Sequence, residues 1–278
     1  MKRGPEFLRQ RVGKLQSRMG GFVPGSHASF RGLDLHADLK DMDWIELYVF
    51  GITGRRVSQQ QLRMFHRLWT FTCYPDARLW NNRIAALAGS SRSTGNLAMS
   101  AALAASEAAI YGRGVDLRAM AFLVNTNAAV SAGGTIAGCV RAELDKYRSI
   151  AGFARPLTAQ DERVEPTLAL ARELGLDRGP HLRLAHEIDD YLARGRWRMQ
   201  MNYAALAAAL MADMDFTPEE YYLLAFPTFL AGMQPCYIEA LENPAGALFP
   251  VPCTHVLYQG EPARAWREMR GDASGENG

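Results

Sequence analysis

The chain has 278 residues, enough to bury a large core in one domain or in two smaller ones. Hydrophobic residues make up 48% and charged residues 22%, which is typical of an ordinary globular protein. The 31 Lys and Arg residues nearly balance the 29 Asp and Glu residues, so the net charge of +2 gives no reason to expect a nucleic-acid partner. The apolar runs are too short to cross a bilayer, and no apolar segment follows the basic N-terminus. We therefore expect a cytoplasmic protein without a membrane partner.

The cysteines and histidines do not have the spacing of a metal site. His181 and His186 are five positions apart, the wrong phase for one face of a helix. The cysteines are isolated in the sequence, which favours reduced thiols: Cys73, Cys139, Cys236 and Cys253. We expect no bound metal.

Residues 1–30 mix basic residues with glycine and proline and predict an irregular arm. The basic residues would share one side of a short helix: Arg9, Arg11, Lys14 and Arg18. A solvated face is the favoured interpretation, and an arm that grips phosphate is the alternative.

Two helices are predicted next. The first runs from Asp43 to Phe50 and is ended by Gly51, and the second begins after Ser58, a good N-cap. The second helix has Leu62, Phe65, Leu68 and Trp69 on its buried side.

Residues 83–111 are small and apolar, a composition that lets helices pack closely. The run 85–109 is too apolar on all sides for an exposed helix, so we expect it to pack against a second copy of the chain in a homodimer.

The region 197–250 has the clearest helical pattern. Its apolar residues recur at three- and four-residue steps in two helices, separated by Thr217 as an N-cap and Pro218 as the first helical residue. The second of these helices is predicted to carry an apolar stripe formed by Phe226, Phe229, Leu230, Met233, Tyr237 and Leu241. No segment favours a strand, so we expect an all-α fold with a disordered tail after Arg270.

The order of these motifs resembles the citrate synthase family over roughly residues 28 to 265. The matching stretches are Phe30-Arg31-Gly32-Leu33-Asp34, Ser93-Thr94-Gly95, Gly152-Phe153, Asp161-Glu162-Arg163, and then Asn202, Asp213, Pro218, Gly232 and Glu239. The resemblance implies a large helical domain formed by residues 1–135 and 204–278. A smaller helical domain, 136–203, would be inserted between them.

The resemblance also implies that the three catalytic side chains of the family are replaced. Ala132 and Arg155 stand where the family has histidines, and Ala204 stands where it has an aspartate. In the family, the carboxylate removes a proton from an acyl-CoA thioester, and the histidines donate hydrogen bonds to oxygens that gain negative charge. Alanine can do neither, so we expect that the protein is not a true citrate synthase.

Several polar residues are candidates for the altered site. The catalytic candidates are Arg155, Asn125, Asn127 and His255, and the substrate-binding candidates are Arg163, Arg155, Gly133, Gly134 and Asn202. The arginines suit a carboxylate, and the glycines precede a predicted helix whose N–H groups favour an anion. We expect Arg163 at a cleft mouth, where its loss leaves the fold intact. The alternative for each arginine is an ion pair, and the alternative for Asn125 and Asn127 is the capping of a loop. The alternative for His255 is a structural or surface histidine.

Two functions follow from the resemblance. The first is an acyltransferase or lyase, similar in length to citryl-CoA lyases, that forms or breaks a carbon–carbon bond in an acyl-CoA thioester or a citrate-like carboxylic acid. A CoA thioester would be its substrate, and no cofactor is expected. The alternative is a non-catalytic dimeric scaffold or regulatory partner with the same fold.

Overall fold

Helices form most of the structure, a computed structural model that describes residues 4–109, 112–153, 160–195, 199–248 and 250–262. The helices are α1 (Pro5–Arg9), α2 (Trp44–Thr53), α3 (Gln59–Thr72), α4 (Trp80–Ser90), α5 (Gly95–Ala105), α6 (Arg113–Ser131), α7 (Ile136–Tyr147), α8 (Val164–Leu174), α9 (Pro180–Arg194), α10 (Tyr203–Asp213), α11 (Pro218–Ala225) and α12 (Leu230–Glu242). Short 3₁₀ turns span Phe226–Phe229 and Cys253–His255. The predicted all-α fold class is confirmed.

A small antiparallel sheet begins in the last third of the predicted irregular arm. Strands β1 (Gly20–Val23), β2 (His27–Phe30) and β3 (Leu33–Asp34) pair in the order β1-β2-β3. The expectation that no segment forms a strand was wrong here. Every residue of β1 is exposed, so this strand has no buried face and no alternation of apolar and polar residues to reveal it.

The sheet is held to α2 by two neighbouring side chains. Phe30 packs edge-to-face on Phe50, with ring centroids 5.8 Å apart. Arg31 donates hydrogen bonds to the carbonyl oxygens of Gly51 and Ile52, at 3.0 and 2.9 Å. These contacts fix the sheet against the helical body.

Gly51 lies inside α2 and does not end it, contrary to the prediction. A Cβ at this position would lie 2.8 Å from the Phe30 ring, so glycine allows the ring to approach the helix. The helix ends at Gly54, whose φ of 74° is the left-handed conformation common after a helix.

Other helix ends were predicted from capping residues and are confirmed. Ser58 caps α3 and Thr217 caps α11, each in a reciprocal capping box. Helix α8 ends at Gly175 in the same left-handed conformation as Gly54, with a φ of 70°. The predicted long helix after Pro218 is interrupted, because Pro227 lies in the 3₁₀ turn that separates α11 from α12.

Helix α10 is the centre of the core. Eight of its apolar side chains and its first tyrosine are buried, and it packs against α6 and α9. Leu206, Leu210 and Met211 have no exposed surface. This all-round burial is typical of a core helix that is apolar on more than one face.

Helices α4, α5 and α12 pack as a unit beside this core. A Cβ on Gly89 of α4 would lie 2.5 Å from the carbonyl oxygen of Tyr237, so these helices approach as closely as the small residues predicted. The division into domains 1–135 with 204–278 and 136–203 stays a prediction. Among the described helices, none is both long and apolar enough to cross a membrane.

Candidate active site

A cavity of about 420 Å³ lies between α3, α6, α10 and α11, and its size is that of a small-molecule site. Most of its wall is apolar. Its polar lining comes chiefly from Tyr74, Arg113, Asp116, Asp161, Arg163 and Asn202. Two residues predicted to bind substrate, Arg163 and Asn202, therefore share one cavity.

Arg163 is held in this wall by Asp161. Its Nε and Nη2 donate to the two carboxylate oxygens of Asp161, both at 2.8 Å. The same carboxylate accepts a hydrogen bond from the backbone N–H of Tyr203 at 3.0 Å. Burial alone would raise the pKa of Asp161, but the bonds and charge of Arg163 and the Tyr203 N–H lower it below its ordinary value.

Two tyrosine rings stack on the Arg163 guanidinium. The carbon Cζ lies 4.4 Å from the ring centroid of Tyr203 and 5.2 Å from that of Tyr74. Burial and a hydrogen bond to Glu162 raise the pKa of Tyr74 to about 12. The expectation that Arg163 contributes little to the core does not hold, because only 22% of its side chain is exposed and its partner carboxylate is fully buried.

The first turn of α10 is placed by Asn202 and Gly152. The side-chain oxygen of Asn202 caps the helix by accepting from the backbone N–H of Ala204 at 2.9 Å, and the backbone N–H of Asn202 donates to the Gly152 carbonyl oxygen at 2.8 Å. Gly152 has a φ of 86°, and a Cβ there would lie 2.6 Å from the Cβ of Ala205. Ala204 itself lines the cavity beside this cap.

The ion pair of Arg113 with Asp116 at the start of α6 was missed by the sequence interpretation. Arg113 Nη2 lies 2.7 Å from Asp116 Oδ2, and the Arg113 guanidinium carbon lies 4.4 Å from the ring centroid of Phe229. Only 4% of the Arg113 side chain is exposed, and its Nε and Nη1 have no hydrogen-bond partner within the described ranges. Burial raises the pKa of Asp116 although Arg113 and Arg163 act to lower it.

The sequence carries little that distinguishes this pair. Arg113 and Asp116 are one helical turn apart on α6, which is the spacing of an ordinary surface ion pair, and the same helix carries the further polar residues Arg118, Asn125 and Asn127.

The other predicted site residues within the described ranges do not line the cavity. Asn125 is exposed on α6, and Asn127 lies 3.4 Å from Nε2 of His181. Gly133 and Gly134 are exposed between α6 and α7, and His255 is exposed in the last 3₁₀ turn: none of these is among the described lining residues.

Arg155 and its proposed pairing with Arg163 lie outside the described residues. Within the described ranges, no group of three or more His, Cys, Asp or Glu side chains is arranged to hold a metal ion.

No protein-family model and no curated protein sequence matches the chain. Solved structures do. Citryl-CoA lyase from Hydrogenobacter thermophilus is 18% identical with a TM-score of 0.79, and the match covers 92% of this chain and 98% of the lyase. ATP citrate lyase from Methanosaeta concilii, in complex with (3S)-citryl-CoA, is 13% identical with a TM-score of 0.71, over 96% of this chain and 46% of that chain.

Citrate synthase from Thermotoga maritima is 17% identical with a TM-score of 0.63, and the match covers 84% of this chain and 62% of the synthase. The chain therefore has the citrate synthase fold, as the resemblance implied. The match spans nearly the whole length of the citryl-CoA lyase chain. It spans less than two thirds of the length of the synthase chain and less than half of the length of the ATP citrate lyase chain.

Proposed function

We propose that the protein is an enzyme of the citrate synthase fold, an acyltransferase or lyase that forms or breaks a carbon–carbon bond in an acyl-CoA thioester or a citrate-like carboxylic acid. The observation that supports this most is the cavity in which the Arg163 guanidinium lies beside the capped start of α10. Guanidinium groups bind carboxylates through charge-assisted hydrogen bonds.

The geometry of Arg163 suits this role. Asp161 engages its Nε and Nη2, which leaves Nη1 as the nitrogen for a ligand. Because the two tyrosine rings and Asp161 fix the guanidinium before a ligand arrives, little side-chain entropy is lost on binding. The similarity to citryl-CoA lyase and to ATP citrate lyase bound to citryl-CoA supports a CoA thioester as the substrate.

We also propose that the protein acts as a homodimer through α4, α5 and α12. Each of these helices has an exposed apolar side chain: Leu87, Leu97 and Ile238. An apolar side chain exposed on each of three closely packed helices favours an interface between copies of the chain.

A non-catalytic scaffold or regulatory partner is the second candidate. It is favoured by Ala204, which gives the cavity wall a methyl group at the position where the resemblance implies a catalytic carboxylate.

Binding measurements separate the two candidates. Isothermal titration with CoA, acetyl-CoA, oxaloacetate and citrate should show binding of at least one of them. Replacing Ala204 by Phe should abolish that binding by filling the cavity. Replacing Ala128 by Phe, on an exposed face of α6, is the matched control and should bind normally. A wild-type protein that binds none of the four compounds would favour the scaffold.

A further inference from the structure

The described lining of the cavity contains two carboxylates, Asp116 and Asp161. Asp161 is fully buried, and both of its oxygens accept hydrogen bonds from Arg163, with the N–H of Tyr203 as a further donor. A carboxylate with this many donors is a weak base. It is therefore a structural group and a poor candidate for proton transfer.

Asp116 differs from Asp161 in each of these respects. Within the described residues, its carboxylate Oδ2 forms an ion pair with Nη2 of Arg113, and 15% of its side chain stays exposed. Because Asp116 lines the cavity, the carboxylate can be reached by a bound molecule. Asp116 lies on α6, which packs against α10, the helix that carries Ala204.

We propose that Asp116 is the acid–base catalyst of this site, acting from α6 in place of a carboxylate on α10. This inference rests on the proposed carbon–carbon bond chemistry. Arg113 is its positioning residue, because the ion pair at 2.7 Å fixes the orientation of the carboxylate.

A single carboxylate can complete the reaction. In the bond-breaking direction, Asp116 accepts the hydroxyl proton of a β-hydroxyacyl thioester, and the O–H electrons form the new C=O bond. The carbon–carbon bond breaks, and its electron pair passes to the α-carbon of the thioester as an enolate. The enolate carbon then takes the same proton back from Asp116. The products are a ketone and a shorter thioester, the carboxylate is restored, and no other reactant is consumed.

The groups around Asp116 suit this cycle. Arg113 on α6 and Arg163 at the start of α8 are positive, and Tyr221 on α11 and Tyr203 on α10 are neutral phenols whose pKa is raised by burial. The guanidinium groups can stabilise the negative charge of the enolate. Burial raises the pKa of Asp116 above that of an ordinary aspartate, which makes it a stronger base.

The test replaces Asp116 by Asn, which keeps the shape of the side chain and removes its proton chemistry. One probe is citryl-CoA, with oxaloacetate release measured by coupled NADH oxidation. The other is acetyl-CoA with a deuterated methyl group, with exchange against solvent protons measured by mass spectrometry. Asp190→Asn, at an exposed position on α9, is the matched control. Binding of acetyl-CoA is measured by titration in each variant.

We expect Asp116→Asn to lower both rates by about 10²–10⁴-fold while acetyl-CoA still binds, because that is the range that general acid–base catalysis contributes. Asp116→Glu should recover part of the rate with an altered pH profile. The wild-type cleavage rate should rise with pH as Asp116 ionises.

Three results would overturn the proposal. An active wild-type protein whose Asp116→Asn variant is equally active would remove the assignment and leave the proposed function intact. A variant that loses binding in proportion to its rate would show that Asp116 only shapes the cavity. A wild-type protein inert towards both probes would overturn the proposed function, and the assignment with it.

Discussion

Asp161 and Arg163 form a doubly hydrogen-bonded ion pair in which the carboxylate is fully buried and the guanidinium lines the cavity. Arg163 neutralises a buried charge, and in the proposed function it also offers a cation to the ligand. Experiments on Arg163 must separate stability from binding.

Replacing Arg163 by Met should lower the free energy of unfolding by about 3 kcal/mol, because the buried Asp161 carboxylate loses its partner. Urea denaturation measures the change. The double variant with Asp161→Asn should recover part of the loss. Replacing Arg63, whose ion pair with Glu173 is exposed, by Met is the control and should cost at most about 1 kcal/mol. Equal losses at both positions would contradict this view of the pair.

Lowering the pH should reduce the stability of the fold, because Asp161 becomes protonated. The folded-state pKa of this group lies below its ordinary value of 3.8, so it contributes stability above pH 3.8 that is lost as the pH falls through the lowered pKa. The Arg163→Met variant lacks the main group that lowers this pKa, so its acid transition should begin at a higher pH. Unfolding followed by circular dichroism between pH 2 and 6 measures both midpoints. Coincident midpoints would contradict the prediction.

The contribution of Asp116 to stability should change with pH in the direction opposite to that of Asp161. Its folded-state pKa is raised, so its contribution to stability is present below pH 3.8 and is lost as the pH rises through the raised value. Asp116→Asn lacks this titration, so it should lose less stability than the wild type between pH 3 and pH 7. Thermal unfolding of both proteins at pH 3 and pH 7 tests this. Equal changes in the two proteins would contradict the raised pKa of Asp116.

The proposed dimer should depend on Leu97, whose side chain is 67% exposed on α5. Light scattering should give twice the chain mass of 30.8 kDa for the wild type and a smaller mass for Leu97→Arg. Leu15→Arg is the control, because Leu15 is 99% exposed outside these helices. A wild-type monomer at micromolar concentration would overturn the proposal.

Asp213 should contribute to stability through the start of α9. Its carboxylate accepts from the N–H groups of His181 and Leu182, at 2.8 and 2.9 Å. Asp213→Ala should lower the free energy of unfolding by about 1–2 kcal/mol, the cost of a lost helix cap. Asp213→Asn keeps an acceptor oxygen and should lose less, so equal losses in urea denaturation would argue against capping.

The sequence predicted the helices well where a local signal marks their ends. Ser58 and Thr217 cap helices because each side chain satisfies a backbone N–H close to it in the chain. The end of α2 was wrongly predicted at Gly51, because this glycine serves a tertiary contact and does not end the helix. Its missing side chain accommodates Phe30, a residue 21 positions away, and no local pattern records that contact.

The site was predicted only in part, for a similar reason. Arg163 and Asn202 belong to motifs that could be matched one by one, and both line the cavity. Arg113 and Asp116 become notable only when α6 packs against α10 and α11, which turns a surface-type charge pair into a buried one. Burial is a property of the assembled fold, and a charged residue in a sequence does not reveal it.

Within the described residues, Nε and Nη1 of Arg113 are buried without a hydrogen-bond partner. A buried donor left without an acceptor costs about 1–3 kcal/mol. An acceptor oxygen that reached either nitrogen would relieve part of that cost, so the affinity of a ligand placed there would include free energy already stored in the folded protein.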